Sequence, residues 1–154
     1  MIVSVIGLGY IGLPTAALLA SRKIKVIGID IDESVVETIN KGMIHIVEPE
    51  LSTIVKESVE TGYFCASTIP VKADVFIISV PTPFTGHKVP DISYIESASR
   101  SISPVLEKDN LVISTEIKDL IFENEILKIT NEDYYYSNVI ARASKTMFEC
   151  KSAK

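Results

Sequence analysis

A glycine-rich turn between a strand pattern and a helix pattern constrains the fold of this chain more than any other feature. Residues 3–6 have the character of a buried strand, residues 7–12 read G-L-G-Y-I-G, and residues 13–20 form an apolar, alanine-rich helix pattern. In this order of elements, glycines at these spacings are typical of a turn that binds a dinucleotide. A Walker-type loop is excluded, because no Gly-Lys-Ser/Thr closes the turn.

Each glycine of the turn is favoured at its position for a different physical reason. Gly7 allows the tight turn, Gly9 lets the backbone approach a pyrophosphate, and Gly12 lets the helix pack close to the strand. The N-terminus of the helix offers free N–H groups and a positive dipole end to phosphates. The turn therefore predicts a pyrophosphate site.

A carboxylate follows the second strand pattern. Residues 25–29 read K-V-I-G-I, and Asp30 comes directly after them, 18 residues beyond Gly12. A carboxylate at this point accepts hydrogen bonds from the adenosine ribose hydroxyls and repels the 2′-phosphate of NADP. No arginine follows it closely, so the pattern predicts NAD as the cofactor. The alternative is a plain βα turn followed by a solvated strand end.

Length and composition limit the class of protein. The 154 residues suit one domain, and 47% hydrophobic with 23% charged residues is an ordinary globular balance. The net charge of −5, without a basic cluster, argues against nucleic acid as a partner. No apolar stretch predicts a membrane span or a signal peptide. Two cysteines suit a reducing compartment, so a cytoplasmic location is expected.

Strand and helix patterns alternate along the chain as far as residue 113. Strand patterns cover residues 63–67, 74–80 and 111–113, and helix patterns cover residues 33–40, 51–60 and 92–106. Asp32 and Asp91 are expected N-caps, Gly42 and Gly62 end two helices, and Pro104 is able to end the third early. The alternation predicts an α/β fold, a Rossmann-type doubly wound parallel sheet that is incomplete at its C-terminal end.

Four separate runs keep the order found in one known family. They read V-I-G-L-G-Y-I-G-L-P-T-A at residues 5–16, I-H-I-V-E-P at 44–49, S-V-P-T-P-F at 79–84 and P-D-I-S-Y at 90–94. The chain thereby resembles the UDP-glucose/GDP-mannose dehydrogenase family, and its UDP-N-acetyl-D-mannosamine branch more closely than its UDP-glucose branch. The likeness covers residues 2–113. It implies an NAD-binding domain at 1–116 and a divergent tail at 117–154.

The resemblance implies roles for the matching positions. Tyr10 and Ile11 would meet the NAD pyrophosphate through the glycine turn. Asp30 would hold the adenosine ribose, and Thr82 would lie against the cofactor beside the fourth parallel strand. A hydroxyl at the end of a strand is able to bond a ribose or a phosphate, although a threonine between two prolines is also a plain turn residue.

The other polar candidates have plainer interpretations. Glu48, which shares a matching run with His45, either belongs to the site or only caps the helix that follows. His87 lies in a loop pattern, and neither it nor the cysteines have metal-ligand spacing, so no metal is predicted. Cys65 lies in a strand pattern and is expected to be a small core residue.

The resemblance ends after the last strand pattern. Family members continue with E-S-T-x-P-x-G-T, whereas residues 111–119 read L-V-I-S-T-E-I-K-D. The family oxidises the sugar C6 alcohol to a carboxylate in two NAD-linked steps, with catalytic groups that come mostly from later parts of its chains. Cys150 lacks the context of the family nucleophile, so no catalytic residue is assigned. The chain alone is expected to be an inactive, truncated or frameshifted fragment, which meets a UDP-sugar only if the missing half is supplied.

Two further interpretations stay open. A free-standing NAD-binding or regulatory module would dock on a partner through the amphipathic pattern at 117–129 and the tyrosines at 134–136. A flavin- or other dinucleotide-binding enzyme would share the glycine turn and Asp30, but it would leave the motif at 79–94 unexplained. Strand edges left open by an incomplete fold would also favour a homo-oligomer.

Overall fold

A five-stranded, wholly parallel sheet forms the centre of the computed structural model, which describes residues 1–83 and 91–114. The strands are Ile2–Ile6 (β1), Lys25–Ile29 (β2), Phe64–Ser67 (β3), Val75–Ile78 (β4) and Leu111–Ser114 (β5). Their spatial order is β3-β2-β1-β4-β5. This order, in which the chain returns to β1 before it continues on the other side, confirms the predicted doubly wound fold.

In the described part of the chain, four helices and a short 3₁₀ turn connect the strands. They are Gly12–Ser21 (α1), Glu33–Asn40 (α2), Leu51–Glu60 (α3), Ser93–Ile102 (α4) and the 3₁₀ turn Ser103–Val105. Helices α1, α2 and α3 match the predicted ranges to within a residue. Helix α4 is shorter than predicted because the chain tightens into the 3₁₀ turn at Pro104.

Most of the observed helix caps agree with those predicted from the sequence. The Asp32 carboxylate accepts the Ser34 N–H at 2.8 Å and thereby caps α2. The Asp91 carboxylate accepts the Ser93 N–H at 3.0 Å. The N-cap position of α4 is Ile92, however, so Asp91 is the residue before the N-cap and not, as predicted from the sequence, the N-cap itself. Gly42 has a φ of +72°, a conformation that glycine adopts without strain after a helix.

Two apolar layers lie on opposite faces of the sheet. The first joins α1, α2 and α3 to alternate strand residues such as Val5, Val26 and Phe64. The second joins α4 to the residues that point the other way, such as Phe76 and Ile78. Side chains alternate between the faces along each strand, and the sheet is therefore buried on both sides near β1 and β4.

Cys65 is exposed, so its predicted place in the core is wrong. Phe64 and Ala66 point into the first layer, and Cys65 therefore points to the opposite face of β3. The chain passes from β3 to β4 through residues 68–74 without a helix. Within residues 1–83 and 91–114, no helix therefore covers Cys65 on the opposite face, which a strand pattern alone cannot reveal.

The outer edge of β3 is partly closed by a side chain. Asn40, the last residue of α2, donates its amide to the Ala66 carbonyl at 2.9 Å and accepts the Ala66 N–H at 2.8 Å. These two bonds replace those that a neighbouring strand would make. No helix within residues 1–83 and 91–114 is long and apolar enough to cross a membrane.

Candidate functional site

The strands β1, β2 and β4 end in register at one edge of the sheet. Ile6 is paired with Ile29 on one side and with Ile78 on the other. The Gly7 N–H donates to the Ile29 carbonyl at 2.8 Å, and the Ser79 N–H donates to the Ile6 carbonyl at 2.8 Å. The segments that follow these three strands therefore meet where the strand order reverses, the usual ligand position in doubly wound sheets.

Gly7 and Gly12 are required by close backbone contacts. Gly7 has a φ of +86°, and a Cβ there would lie 2.8 Å from the Ser79 carbonyl oxygen. A Cβ on Gly12 would lie 1.7 Å from the Gly7 carbonyl oxygen. No other residue type fits at either position without movement of the turn or of α1.

The part of the turn between these two glycines opens to solvent. A Cβ on Gly9 would meet no atom within 4 Å, and Tyr10 and Ile11 are 64% and 51% exposed. Among the described residues, no side chain caps the first turn of α1. The cradle has space beside Gly9 and the positive end of a helix dipole, and these features fit a dinucleotide pyrophosphate.

Asp30 lies directly beside this turn. Its Oδ2 accepts the Leu8 N–H at 2.8 Å, and its Oδ1 accepts the Asp32 N–H at 3.1 Å. The side chain is half-buried. A carboxylate has about four acceptor positions, so two remain for the hydroxyls of a ribose.

Leu8 belongs to the site although the sequence patterns did not predict it. Its side chain is fully buried, and its two δ carbons lie where a Cβ on Gly28 would come within 2.7 and 2.8 Å of them. Gly28 thus makes room for Leu8 beneath the turn. A large apolar residue between two glycines, opposite a glycine in the second strand, is the signal that could have identified it.

Thr82 lies on the neighbouring segment, which follows β4. It is half-buried, three residues beyond Ser79. Residues 84–90, which include His87 and the end of the third matching run, lie outside the described residues, as do Cys150 and the patterns at 117–129 and 134–136. Thr82 lies four residues after Ile78, where β4 ends two residues earlier than predicted.

The loop between α2 and α3 returns to the same edge. The pKa of Asp32 lies below its ordinary value, mainly because Ser34 donates two hydrogen bonds to its carboxylate and to a small extent because of the His45 charge. His45 is thus near the start of α2. Glu48 is exposed, and its backbone carbonyl accepts the Leu51 N–H at 3.1 Å. Among the described residues no side chain caps α3, so the Glu48 carboxylate does not cap this helix.

The described residues form a binding surface at this edge. Within residues 1–83 and 91–114, no three His, Cys, Asp or Glu side chains are grouped closely enough to hold a metal ion. The glycine turn presents backbone N–H groups beside the Asp30 carboxylate, Asp32 and His45 lie near the start of α2, and Thr82 lies on the segment after β4. Such an arrangement binds and orients a dinucleotide.

Comparison with protein families gives a match over most of the chain. The family model described as the NAD-binding domain of the UDP-glucose/GDP-mannose dehydrogenase family matches residues 1–133. The UDP-N-acetyl-D-mannosamine dehydrogenase of Escherichia coli is 62% identical over 111 residues, which is 72% of this chain and 26% of that protein. The enzyme of the same name from Campylobacter jejuni is 62% identical over 112 residues, 72% of this chain and 28% of that protein.

Solved structures of enzymes from the same family superpose closely on this chain. The UDP-N-acetyl-mannosamine dehydrogenase of Staphylococcus aureus superposes with a TM-score of 0.87 at 33% identity, covering 92% of this chain and 37% of that one. The GDP-mannose dehydrogenase of Pseudomonas aeruginosa gives 0.82 at 28% identity, covering 90% and 35%. The chain thus spans about a quarter of the curated relatives' length and little more than a third of these structures.

Proposed function

Because the chain belongs to the UDP-glucose/GDP-mannose dehydrogenase family, as its NAD-binding domain, we propose that it holds NAD⁺ for the oxidation of UDP-N-acetyl-D-mannosamine. The observation that carries the proposal is the open turn at Gly9, which lies next to the Asp30 carboxylate at the point where the strand order reverses. Both features suit a dinucleotide with a free ribose 2′-hydroxyl.

The proposed roles follow the geometry of the edge. The backbone of Gly9, Tyr10 and Ile11 and the N-terminus of α1 bind the pyrophosphate, while Gly7 and Gly12 hold the turn in shape. Asp30 accepts hydrogen bonds from the adenosine ribose. Thr82 lies on the other side of the turn and donates its hydroxyl to the cofactor.

When bound, NAD⁺ supplies the hydride acceptor for an alcohol oxidation. We assign no catalytic residue among the described residues, since each group placed at the turn has a binding or positioning role. The sequence after Ser114 also departs from the family's loop. The chain alone is therefore proposed to bind the cofactor without oxidising a sugar, and a UDP-sugar binds only when the remaining part of the family fold is supplied.

The choice of sugar depends on likeness to relatives. The E. coli mannosamine enzyme is 62% identical, but an NDP-N-acetyl-D-galactosaminuronic acid dehydrogenase from Ralstonia nicotianae is 58% identical over the same length. Such a small difference in sequence identity does not by itself distinguish between the two sugars as substrates. The mannosamine derivative is favoured because the E. coli and C. jejuni relatives, each 62% identical, both carry that name.

A chimera tests the proposal. The matched 111-residue segment of the E. coli enzyme is replaced by that of this chain, and NADH formation is followed with UDP-N-acetyl-D-mannosamine, its galactosamine isomer and UDP-glucose. We expect turnover with the mannosamine sugar in the chimera and none with the chain alone. A folded chimera that binds no NAD⁺ would contradict the cofactor role, and turnover by the isolated chain would contradict its inactivity. The alternative of a docking module rests on residues outside those described, and no described contact favours it.

A further inference from the structure

We propose that Asp30 is also a positioning residue, which fixes the glycine turn in the shape that receives the pyrophosphate. The inference rests on the proposed NAD⁺ site and deepens it. One carboxylate then serves two parts of the ligand: it binds the ribose directly, and it acts on the pyrophosphate through the Leu8 backbone. The observation behind it is the 2.8 Å bond from the Leu8 N–H to Asp30 Oδ2, across 22 residues of sequence.

The first half of the turn is anchored at three points. The Gly7 N–H bonds to the Ile29 carbonyl, the Leu8 N–H bonds to Asp30, and the Leu8 side chain is fully buried against Gly28. Two of these anchors are backbone or packing contacts. The third is a side-chain bond, from the Leu8 N–H to the Asp30 carboxylate.

The second half of the turn is bonded to helix α1. The Leu13 N–H donates to the Gly9 carbonyl at 3.0 Å, and the Thr15 hydroxyl donates to the Ile11 carbonyl at 2.7 Å. Gly9, Tyr10 and Ile11 are exposed. Their N–H groups are therefore positioned from two sides, by α1 and by the Leu8 anchor. Loss of the Leu8 anchor would let the open half rotate and would spread the N–H groups that must converge on a phosphate.

The chemistry of the carboxylate allows both tasks at once. One acceptor position on each oxygen is used by the Leu8 and Asp32 N–H groups, and the other position on each remains for a ribose hydroxyl. Bonds to an ionised acceptor are shorter and stronger than neutral ones, so the carboxylate holds the turn more firmly than an amide would.

Two variants separate positioning from ribose binding. Asp30→Ala and Asp30→Asn both remove the charge, but asparagine keeps one oxygen that the Leu8 N–H can use. The probes are inorganic pyrophosphate, which has no ribose, and hydrogen exchange at the Leu8 amide, which needs no ligand. Asp32→Ala is the control for general destabilisation, because it removes the α2 cap nearby and leaves the Leu8 bond intact.

We expect Leu8 exchange to be about tenfold faster in Asp30→Ala than in wild type, and unchanged in Asp32→Ala, with pyrophosphate about fivefold weaker in Asp30→Ala than in Asp30→Asn. Equal Leu8 exchange in Asp30→Ala and wild type would overturn the inference, and so would equal pyrophosphate affinity of the two Asp30 variants. Failure of the wild-type chain to bind NAD⁺ overturns the proposed function instead, and the exchange measurement still decides the positioning role.

Discussion

Replacing Gly12 with alanine puts a methyl group where the backbone of the glycine turn leaves no room for it. The new Cβ would lie 1.7 Å from the Gly7 carbonyl oxygen and 2.9 Å from its carbon. Real Cβ atoms essentially never approach other atoms within 3.0 Å. Helix α1 therefore has to move away from the turn by roughly 1.3 Å, the difference between the required and the available distance to the oxygen.

That movement lowers the free energy of unfolding, because α1 is packed closely on the sheet. Its residues Leu13, Ala16 and Ala17 are fully buried. Overpacking costs about 1–3 kcal/mol, and a carbonyl of the backbone cannot rotate away as a side chain can, so we expect a loss of about 3 kcal/mol. The corresponding fall in Tm is about 6–12 °C for a domain of this size.

Gly9→Ala is the matched control within the same turn. A Cβ on Gly9 meets nothing within 4 Å, and its φ is not in the left-handed region. We expect its free energy of unfolding to stay within about 0.5 kcal/mol of wild type. NAD⁺ affinity should nevertheless fall at least about tenfold, because the methyl group occupies the side from which the pyrophosphate approaches.

Urea unfolding and calorimetric titration with NAD⁺ measure the two effects separately. We expect Gly12→Ala to lose stability and Gly9→Ala to lose binding alone. A Gly12→Ala chain as stable as wild type within about 0.5 kcal/mol would refute the steric argument. A Gly9→Ala chain that unfolds as easily as Gly12→Ala would refute the division of the turn into a packed part and an open part.

Three further changes have expected outcomes. Asn40→Ala removes both bonds to Ala66, so we expect the free energy of unfolding in urea to fall by about 1–3 kcal/mol. Because the β3 edge opens, we also expect self-association in sedimentation. An unchanged urea midpoint and a monomeric variant would contradict this. Ser99→Ala removes a buried hydroxyl that has no partner among the described residues, so unfolding free energy should stay equal or rise by up to about 1 kcal/mol, and a loss would reveal a missed partner. Hydrogen bonds from Ser34 lower the pKa of Asp32, so the stabilising effect of this cap is present above the unfolded pKa of about 3.9 and is lost as pH falls through the lower folded pKa. The difference in urea midpoint between wild type and Asp32→Ala should therefore be present at about pH 6 and disappear in strong acid. A difference that stays constant with pH would contradict this linkage.

Local patterns predicted most of the fold, because each element carries its own signal. The strand–turn–helix order around Gly7 to Gly12, the Asp32 cap and the glycine after α2 are all short-range features. Their repetition was sufficient for the parallel sheet, since parallel neighbours require crossovers on its faces. The strand order was not predicted, because doubly wound sheets occur with more than one order.

Long-range contacts explain what the sequence did not reveal. Cys65 was expected in the core because its strand is apolar, but it is exposed, and the crossover at 68–74 has no helix that would cover it. The bond from Leu8 to Asp30 joins residues that follow two different strands, and no spacing rule predicts it. For the site itself, the motif identified the glycines and Asp30, but the anchoring of the turn depends on tertiary packing.

Calorimetric titration of the folded wild-type chain with NAD⁺ and, separately, with NADP⁺ decides whether the glycine turn and Asp30 form a working NAD site. The Asp30 carboxylate beside the open turn predicts that NAD⁺ binds and that NADP⁺ binds at least about tenfold more weakly, because the 2′-phosphate would approach a negative charge. Equal or tighter binding of NADP⁺, or no binding of either dinucleotide by a chain shown to be folded, would contradict this assignment.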